Sequence, residues 1–169
     1  YAGLIQQRLA KAMDSDLSSQ QYAFRKNRST SEPLAALRRL MDRAEAEKQT
    51  YSFTFLDWAK AFDRIKQDKL LESLERMNVD QKFRNAVASL YDNPQFRVKM
   101  GDEVSEWKTQ ETGIRQGCPL SPYLFNIVMT VIMRDVHDAL DMEESYISGT
   151  SYSELIYADD TVLFCKTVA

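Results

Sequence analysis

Histidine and cysteine are scarce in this chain. One histidine, His137, and two cysteines, Cys118 and Cys165, are spread through 169 residues, with no C-x-x-C spacing and no histidine near either thiol. Structural zinc in this segment is thereby excluded, and reduced thiols are expected. No apolar stretch approaches the ~20 residues that span a bilayer, and the first residues lack the charged-then-apolar pattern of a secretory signal. A soluble intracellular protein without a membrane partner is the expectation. Positive charge is not in excess either: 22 Lys and Arg stand against 25 Asp and Glu, for a net charge of -3. That balance excludes binding to nucleic acid through bulk charge, so any such contact has to be local. Nothing repeats at a fixed period and no composition break divides the chain. With 44% hydrophobic residues it can bury one ordinary core, as one domain or a piece of one.

The most informative acidic feature is Tyr157-Ala158-Asp159-Asp160. It lies between two short apolar runs, Leu155-Ile156 and Val162-Leu163-Phe164, which predicts a β-hairpin with adjacent carboxylates at its tip. Aspartate is a common turn residue, so the pair alone proves little. A third carboxylate, Asp57, ends the run Tyr51-Ser52-Phe53-Thr54-Phe55-Leu56, whose aromatic and β-branched residues read as a buried strand. Two strands ending in aspartate can lie side by side in one sheet. Their mutual repulsion would be relieved by a shared pair of Mg²⁺ ions.

Around these strands the periodicity predicts mainly helices. Leu4, Ile5, Leu9 and Met13 mark a helix over residues 2–13, and Ser29-Thr30-Ser31-Glu32 offers a capping box for a second helix, with Pro33 in its first turn, running to about Lys48. Asp68 is the expected cap of a helix carrying Leu70, Leu71, Leu74 and Met77, and another is expected over residues 81–91. Gln95–Met100 and Val104–Thr109 should pair across a Gly101-Asp102-Glu103 turn. A long helix is predicted over residues 122–140, then a polar loop over 141–153. Irregular order argues for an α+β fold, an antiparallel sheet covered by helices on one side.

Two further segments carry chemistry. Arg25-Lys26-Asn27-Arg28, flanked by Tyr22 and Phe24, mixes charge and rings as phosphates and stacked bases require, although a solvated loop before a helix explains it equally well. In Thr112-Gly113-Ile114-Arg115-Gln116-Gly117-Cys118-Pro119-Leu120-Ser121-Pro122 the glycines would let backbone approach a bulky ligand, the prolines stiffen the loop, and Arg115 and Gln116 add donors. The plainer reading is a helix entry with Ser121 as cap and Pro122 in the first turn; a helix start also favours anions.

Four segments together resemble one family. Phe55-Leu56-Asp57-Trp58-Ala59-Lys60-Ala61-Phe62-Asp63, the Gly113–Pro122 loop and Tyr157–Phe164 are similar, in order and spacing, to motifs A, B and C of reverse transcriptases. Gln21-Tyr22-Ala23-Phe24-Arg25-Lys26-Asn27-Arg28-Ser29-Thr30 resembles an upstream segment of the same family. Lys60-Ala61-Phe62-Asp63, Arg115–Pro122 and Ala158–Phe164 look like the non-LTR (LINE-type) retrotransposon enzymes. Group II intron reverse transcriptases rank second, since they usually carry a second glycine where Cys118 and Pro119 stand.

The resemblance implies a polymerase right-hand palm with part of the fingers, residues 1–50 forming fingers-proximal helices and residues 51–169 mainly palm. It implies an RNA-directed DNA polymerase with an RNA template, a DNA primer and a dNTP as partners, and two Mg²⁺ ions, replaceable by Mn²⁺, as cofactors. Asp57, Asp159 and Asp160 would be the catalytic metal ligands. Trp58, Ala59, Lys60, Ala61, Phe62, Gln116 and Gly117 would border the nucleotide, with the amides of Trp58 to Ala61 toward the triphosphate and the Phe62 ring against the sugar. Core packing is the alternative for Phe62. Arg25, Lys26, Arg28, Arg115, Pro119 and Tyr157 would meet template or primer. Asp63 is read as capping or pairing near Lys66, and His137 as a surface side chain. Family segments outside this stretch, the basic finger segment, the thumb and any endonuclease, are missing from it. An incomplete or decayed copy, inactive or very weak in isolation, is therefore expected, nuclear if its source is a eukaryotic retrotransposon. The rival from another class is a catalytically inactive nucleic-acid-binding remnant.

Overall fold

A computed structural model describes residues 1–48, 50–140, 145–147 and 150–166. Helix α1 is Ala2–Met13 and α2 is Ser31–Glu47; strand β1, Tyr51–Leu56, is followed by the single turn α3 at Ala61–Arg64, α4 at Gln67–Arg76 and α5 at Gln81–Leu90. Four two-residue strands come next: β2 (Gln95–Phe96), β3 (Lys99–Met100), β4 (Glu103–Val104) and β5 (Lys108–Thr109). Helix α6 is Ser121–Leu140, β6 is Ser145–Ile147, β7 is Thr150–Tyr152, and the chain turns through β8 (Glu154–Tyr157) into β9 (Asp160–Lys166).

The strands that matter form one antiparallel sheet in the order β1-β9-β8. Adjacent residues along a strand face opposite sides, and on β8 and β9 both sides are covered, whereas β1, expected to be a buried strand, has no fully buried residue and leaves Ser52, Thr54 and Phe55 exposed at the sheet edge. Leu155 and Phe164 pack with Ala36 and Leu40 of α2, whereas Ile156 and Leu163 join the larger core of α1, α4, α5 and α6. The expectation of helices on one side is thus corrected. A helix pattern in α2 does not say which sheet face it will cover.

Helix α6 is the central post of the larger core. Tyr123 through Val131 are all buried, as an all-round apolar run requires, and Leu70 and Leu74 of α4 lie in the same cluster. Ile5, Leu9 and Met13 place the apolar stripe of α1 there too.

Several element ends differ from expectation. At α2 the capping box is half made: Glu32 accepts from the Ser29 amide at 2.8 Å, but the Ser29 hydroxyl meets Ser31 instead. Lys66 precedes α4 and Asp68 lies inside its first turn, where a carboxylate still favours the helix dipole. Ser121 does not cap α6, since its hydroxyl is buried without a partner. The 95–109 hairpin is interrupted: β2 pairs with β5 and β3 with β4, and the Ser105 hydroxyl accepts the Val98 amide where the ladder breaks. The predicted 141–153 loop contains the β6–β7 hairpin, with residues 141–144 and 148–149 outside the described set. Among the described residues no helix is long and apolar enough to cross a membrane.

Candidate active site

Strand register brings the acidic residues of distant segments together. Leu56 pairs with Thr161 across β1 and β9, so one step further along both strands sets Asp57 opposite Asp160. Both border one apolar cleft of about 480 Å³, beside Phe55, Tyr157 and Val162. Ala158 and Asp159 form the two-residue turn between β8 and β9, and Tyr157 pairs with Asp160. Asp57 and Asp160 are exposed and Asp159 is half-buried. Among the described residues no Lys, Arg or His reaches ion-pair distance of these three carboxylates.

Among the described residues no three Asp, Glu, His or Cys groups are set so that they could hold a metal ion. Register unites Asp57 with Asp160 on one face, but Asp159 sits a residue back in the turn. Like charges in so small a space also repel.

The turn is held from behind. Ala158 has φ 58°, the left-handed region that a side chain disfavours. The wholly buried Gln21 grips it: Gln21 Oε1 accepts from the Ala158 amide at 3.2 Å and the Ala23 amide at 3.0 Å, while Gln21 Nε2 donates to the Ala158 carbonyl at 3.4 Å. Main-chain bonds from Tyr22 N to Ile156 O and from Ile156 N to Gln20 O, both 2.9 Å, lay this segment parallel beside β8. In front, the Trp58 indole N–H donates to Thr161 Oγ1 at 3.2 Å, and Thr161 Oγ1 donates to the Asp159 carbonyl at 3.4 Å.

Phe62 is fixed by two rings. It stacks on Phe125 of α6 with centroids 4.4 Å apart and planes 6° from parallel, and meets Phe24 edge-on at 6.3 Å. The glycine-containing loop is sewn to the same turn. Ile114 N donates to Phe62 O at 2.9 Å, Gly113 N to Ile65 O at 2.7 Å, and Gln116 Nε2 to Asp63 Oδ1 at 2.9 Å. Asp63 therefore serves as acceptor for Gln116, which corrects its expected pairing near Lys66. Gly113 is needed for a close backbone approach, because a Cβ there would lie 3.0 Å from the Asp63 backbone. Gly117, by contrast, has φ 79° with open space around it, so its requirement is the turn itself. Neither glycine makes way for a ligand by the crowding argument alone.

The basic residues divide sharply. Arg25 makes five hydrogen bonds, to both carboxylate oxygens and the carbonyl of Asp14 and to the carbonyls of Ser18 and Gln21. A guanidinium has five N–H groups, so none is left for a template, and its expected role is corrected to a buried clamp. Arg28 pairs with Glu32 at 3.2 Å and lies 5.2 Å over the Tyr22 ring. Arg115 donates to Leu90 O at 2.7 Å and sits over Tyr91. Lys26 is exposed. Pro119 lies beside Gly3 of α1, and Tyr157 is half-buried against the α2-side cluster. Trp58 packs into the larger core, and the Ala61 amide donates to Trp58 O at 3.2 Å, which removes that amide from the expected row. Lys60, at φ 54°, starts α3, and Ala59 is exposed.

His137 keeps a partly exposed side chain, and its Nε2 lies 2.7 Å from Glu154 Oε2 and 3.2 Å from the Ser153 hydroxyl, tying α6 to β8. A lone histidine on a helix flank gives no signal of a buried acid seventeen residues on. Gln21 and Thr161 were also missed as supports. The available clue is that Thr161 follows Asp159-Asp160 directly and that Gln21 opens the Gln21–Thr30 segment.

The geometry thus joins residues 21–24, 57–63, 113–117 and 157–161. A family model described as reverse transcriptase (RNA-dependent DNA polymerase) matches residues 1–169. The chain belongs to that family. This reverse transcriptase chain is 30% identical, over 152 residues, to the Retrovirus-related Pol polyprotein from type-1 retrotransposable element R2 of Nasonia vitripennis, covering 89% of the chain and 14% of that polyprotein. It is 29% identical over 112 residues to the corresponding type-2 element R2DM polyprotein of Drosophila melanogaster, covering 66% of the chain and 10% of the relative. These relatives agree with the non-LTR resemblance. The fold matches telomerase from Candida albicans, solved with a fragment of telomeric RNA, at a TM-score of 0.68 and 13% identity over 97% of the chain and 29% of the telomerase. The right-hand polymerase fold of a reverse transcriptase is accordingly established, and dependence on a divalent metal is general to the family.

Proposed function

We propose that this reverse transcriptase segment contributes the palm, with part of the fingers, to an RNA-directed DNA polymerase that joins a deoxynucleotide to a primer 3′-hydroxyl on an RNA template. Residues 1–50 supply fingers-proximal helices and residues 51–169 mainly palm. The observation that carries this reading is the pairing of β1 with β9, which sets Asp57 across from Asp160 with Asp159 in the adjoining turn.

The donor set fits a hard cation. It is all oxygen, with no Lys or Arg at ion-pair distance among the described residues, and suits Mg²⁺ with Mn²⁺ as substitute. Asp57 and Asp159 would hold two such ions and Asp160 would complete the charge. Ions bound there would lower the pKa of the attacking hydroxyl and stabilise charge on the phosphates and leaving pyrophosphate.

The chain's own residues do the positioning. Phe62, pinned between Phe24 and Phe125, presents a rigid edge where a 2′-hydroxyl would lie. Gln116, Gly117 and the backbone from Trp58 to Lys60 flank the nucleotide, and Lys60 supports a phosphate. Lys26 is the strongest phosphate contact of its cluster, with Arg28, Arg115, Pro119 and Tyr157 as lesser template or primer neighbours.

The second reading is a catalytically inactive nucleic-acid-binding remnant. It draws on the lack, among the described residues, of three groups set to hold a metal. Mg²⁺ or Mn²⁺ titration of the chain, followed by its melting temperature, decides between them. The polymerase reading expects a saturable rise that Asp57→Asn and Asp159→Asn abolish. A flat response in the wild-type chain favours the remnant.

A further inference from the structure

We infer that Gln21 is a positioning residue for the acidic turn: its buried side-chain amide holds Ala158 in the left-handed conformation that presents Asp159 and Asp160. The inference rests on the metal-binding reading of those carboxylates and adds a residue that touches neither metal nor substrate.

Ala158 is buried, is not glycine, and has φ 58°; neighbours must over-determine such a conformation for it to persist. In a two-residue hairpin turn both flanking strands help, but their ladder ends at Tyr157 and Asp160. Inside the turn, the Ala158 amide and carbonyl are both engaged by one side chain. Gln21 Oε1 accepts from Ala158 N at 3.2 Å and Gln21 Nε2 donates to Ala158 O at 3.4 Å. A primary amide is suited to this task, since it offers an acceptor and a donor in one plane. Leucine or methionine has neither, and glutamate has no donor when ionised.

A clamp works only if its own base is rigid, and this base is held by its own backbone, by helix α6, by Arg25 and by β8. The Oε1 atom also accepts from Ala23 N at 3.0 Å, fixing the amide plane against its own backbone. From α6, Asn126 Nδ2 donates to Ala23 O at 2.8 Å, and Thr130 Oγ1 accepts the Ser18 amide at 3.2 Å. Arg25, with side-chain exposure of 6%, donates to the carbonyls of Ser18 and Gln21 and pairs with Asp14. Tyr22 and Gln20 bond Ile156 on the neighbouring strand. The 18–25 segment is thereby a frame that transmits the position of α6 to the turn. This explains the otherwise wasteful burial of an arginine and a glutamine beside an exposed acidic tip.

The test compares wild type, Gln21→Met, Ala158→Gly and the double variant in this same chain. It reads amide hydrogen exchange at Ala158 and Asp159 together with Mn²⁺ affinity. Gln21→Met, of similar volume, is expected to speed exchange at the turn tenfold or more, and to weaken Mn²⁺ binding by about tenfold, in line with other groups that orient metal ligands. Ala158→Gly removes the conformational penalty, so the double variant should recover to within about threefold of wild type in affinity. A merely structural glutamine would predict loss of stability without that rescue. If Gln21→Met does not fold, Gln21→Asn, which keeps both groups but shortens their reach, takes its place with the same expectations. Unchanged exchange at Ala158, or loss that Ala158→Gly fails to repair, overturns the proposal. A wild-type chain that binds no Mn²⁺ overturns the metal reading instead, and the exchange measurements still decide the clamp.

Discussion

The Trp58 indole donates to the Thr161 hydroxyl at 3.2 Å, joining the residue after Asp57 to the residue after Asp160. Strand pairing sets the two acidic segments side by side, and this bond fixes them at their open end, where the ladder stops. Thr161 is 2% exposed and also reaches the Asp159 carbonyl, so its hydroxyl links both motifs.

Thr161→Val keeps the volume and removes the hydroxyl. It should cost about 1 kcal/mol, roughly 2–4 °C in melting temperature, because the indole N–H loses its partner. Thr161→Ser should retain most of that stability. Thermal melts of the two variants check this, and a loss in Thr161→Ser with none in Thr161→Val would place the effect in the methyl group rather than in the bond.

Phe62 should govern sugar choice through its stack on Phe125 rather than by size alone. In an active polymerase carrying this segment, Phe62→Ala is expected to admit ribonucleotides. Phe125→Leu, which leaves Phe62 in place but unstacked, should relax discrimination partially. The ratio of kcat/KM for dNTP and rNTP measures both. A ratio unmoved by Phe62→Ala would remove the ring from the sugar site and return it to core packing.

Much of this site was legible because it is built from local patterns. The aromatic and β-branched run before Asp57 and the apolar runs on either side of Asp159-Asp160 predict the strands, and a single antiparallel register then makes the carboxylates neighbours. Helix positions were legible for the same reason, since Ile5, Leu9 and Met13 or Leu70 and Leu74 repeat at helical spacing. What escaped depends on contacts between segments distant in sequence. Nothing in Arg25-Lys26-Asn27-Arg28 says that Arg25 will turn inward to Asp14 while Lys26 stays out. The coverage of both sheet faces likewise follows from where α2 docks, which its own periodicity does not encode. Gln21 was visible as a residue but not as a clamp, because its partner Ala158 lies 137 positions away.

Glu154 is 1% exposed, and His137 Nε2 lies 2.7 Å from its carboxylate. The Ser153 hydroxyl donates to the same oxygen. His137→Leu would leave a buried carboxylate with serine alone, at a cost of about 1–3 kcal/mol, discounted because His137 is partly exposed. Adding Glu154→Gln should restore part of the loss by removing the charge. Urea denaturation of the single and double variants reads this, and additive losses would show that the pair does not interact.

Tyr22 makes the fold alkali-sensitive. Burial, with the Tyr152 phenol close by, pushes its pKa up to about 12 from an ordinary 10.0, although the Arg28 guanidinium over its ring pulls the other way. The neutral phenol is therefore favoured in the folded chain, and the unfolded chain loses its proton first. Stability from this group is complete below about pH 10 and drains away as pH rises toward about 12. The slope approaches at most ~1.4 kcal/mol per pH unit, for a total of roughly 2–3 kcal/mol. Tyr22→Phe cannot ionise and should flatten this part of the pH–stability curve while leaving neutral-pH stability close to wild type. Denaturation midpoints from pH 8 to 12 for both chains test the sign. A wild-type chain no more alkali-sensitive than Tyr22→Phe would mean that solvent reaches the phenol and that the α2-side cluster around Leu40, Leu155 and Phe164 is looser than its burial indicates.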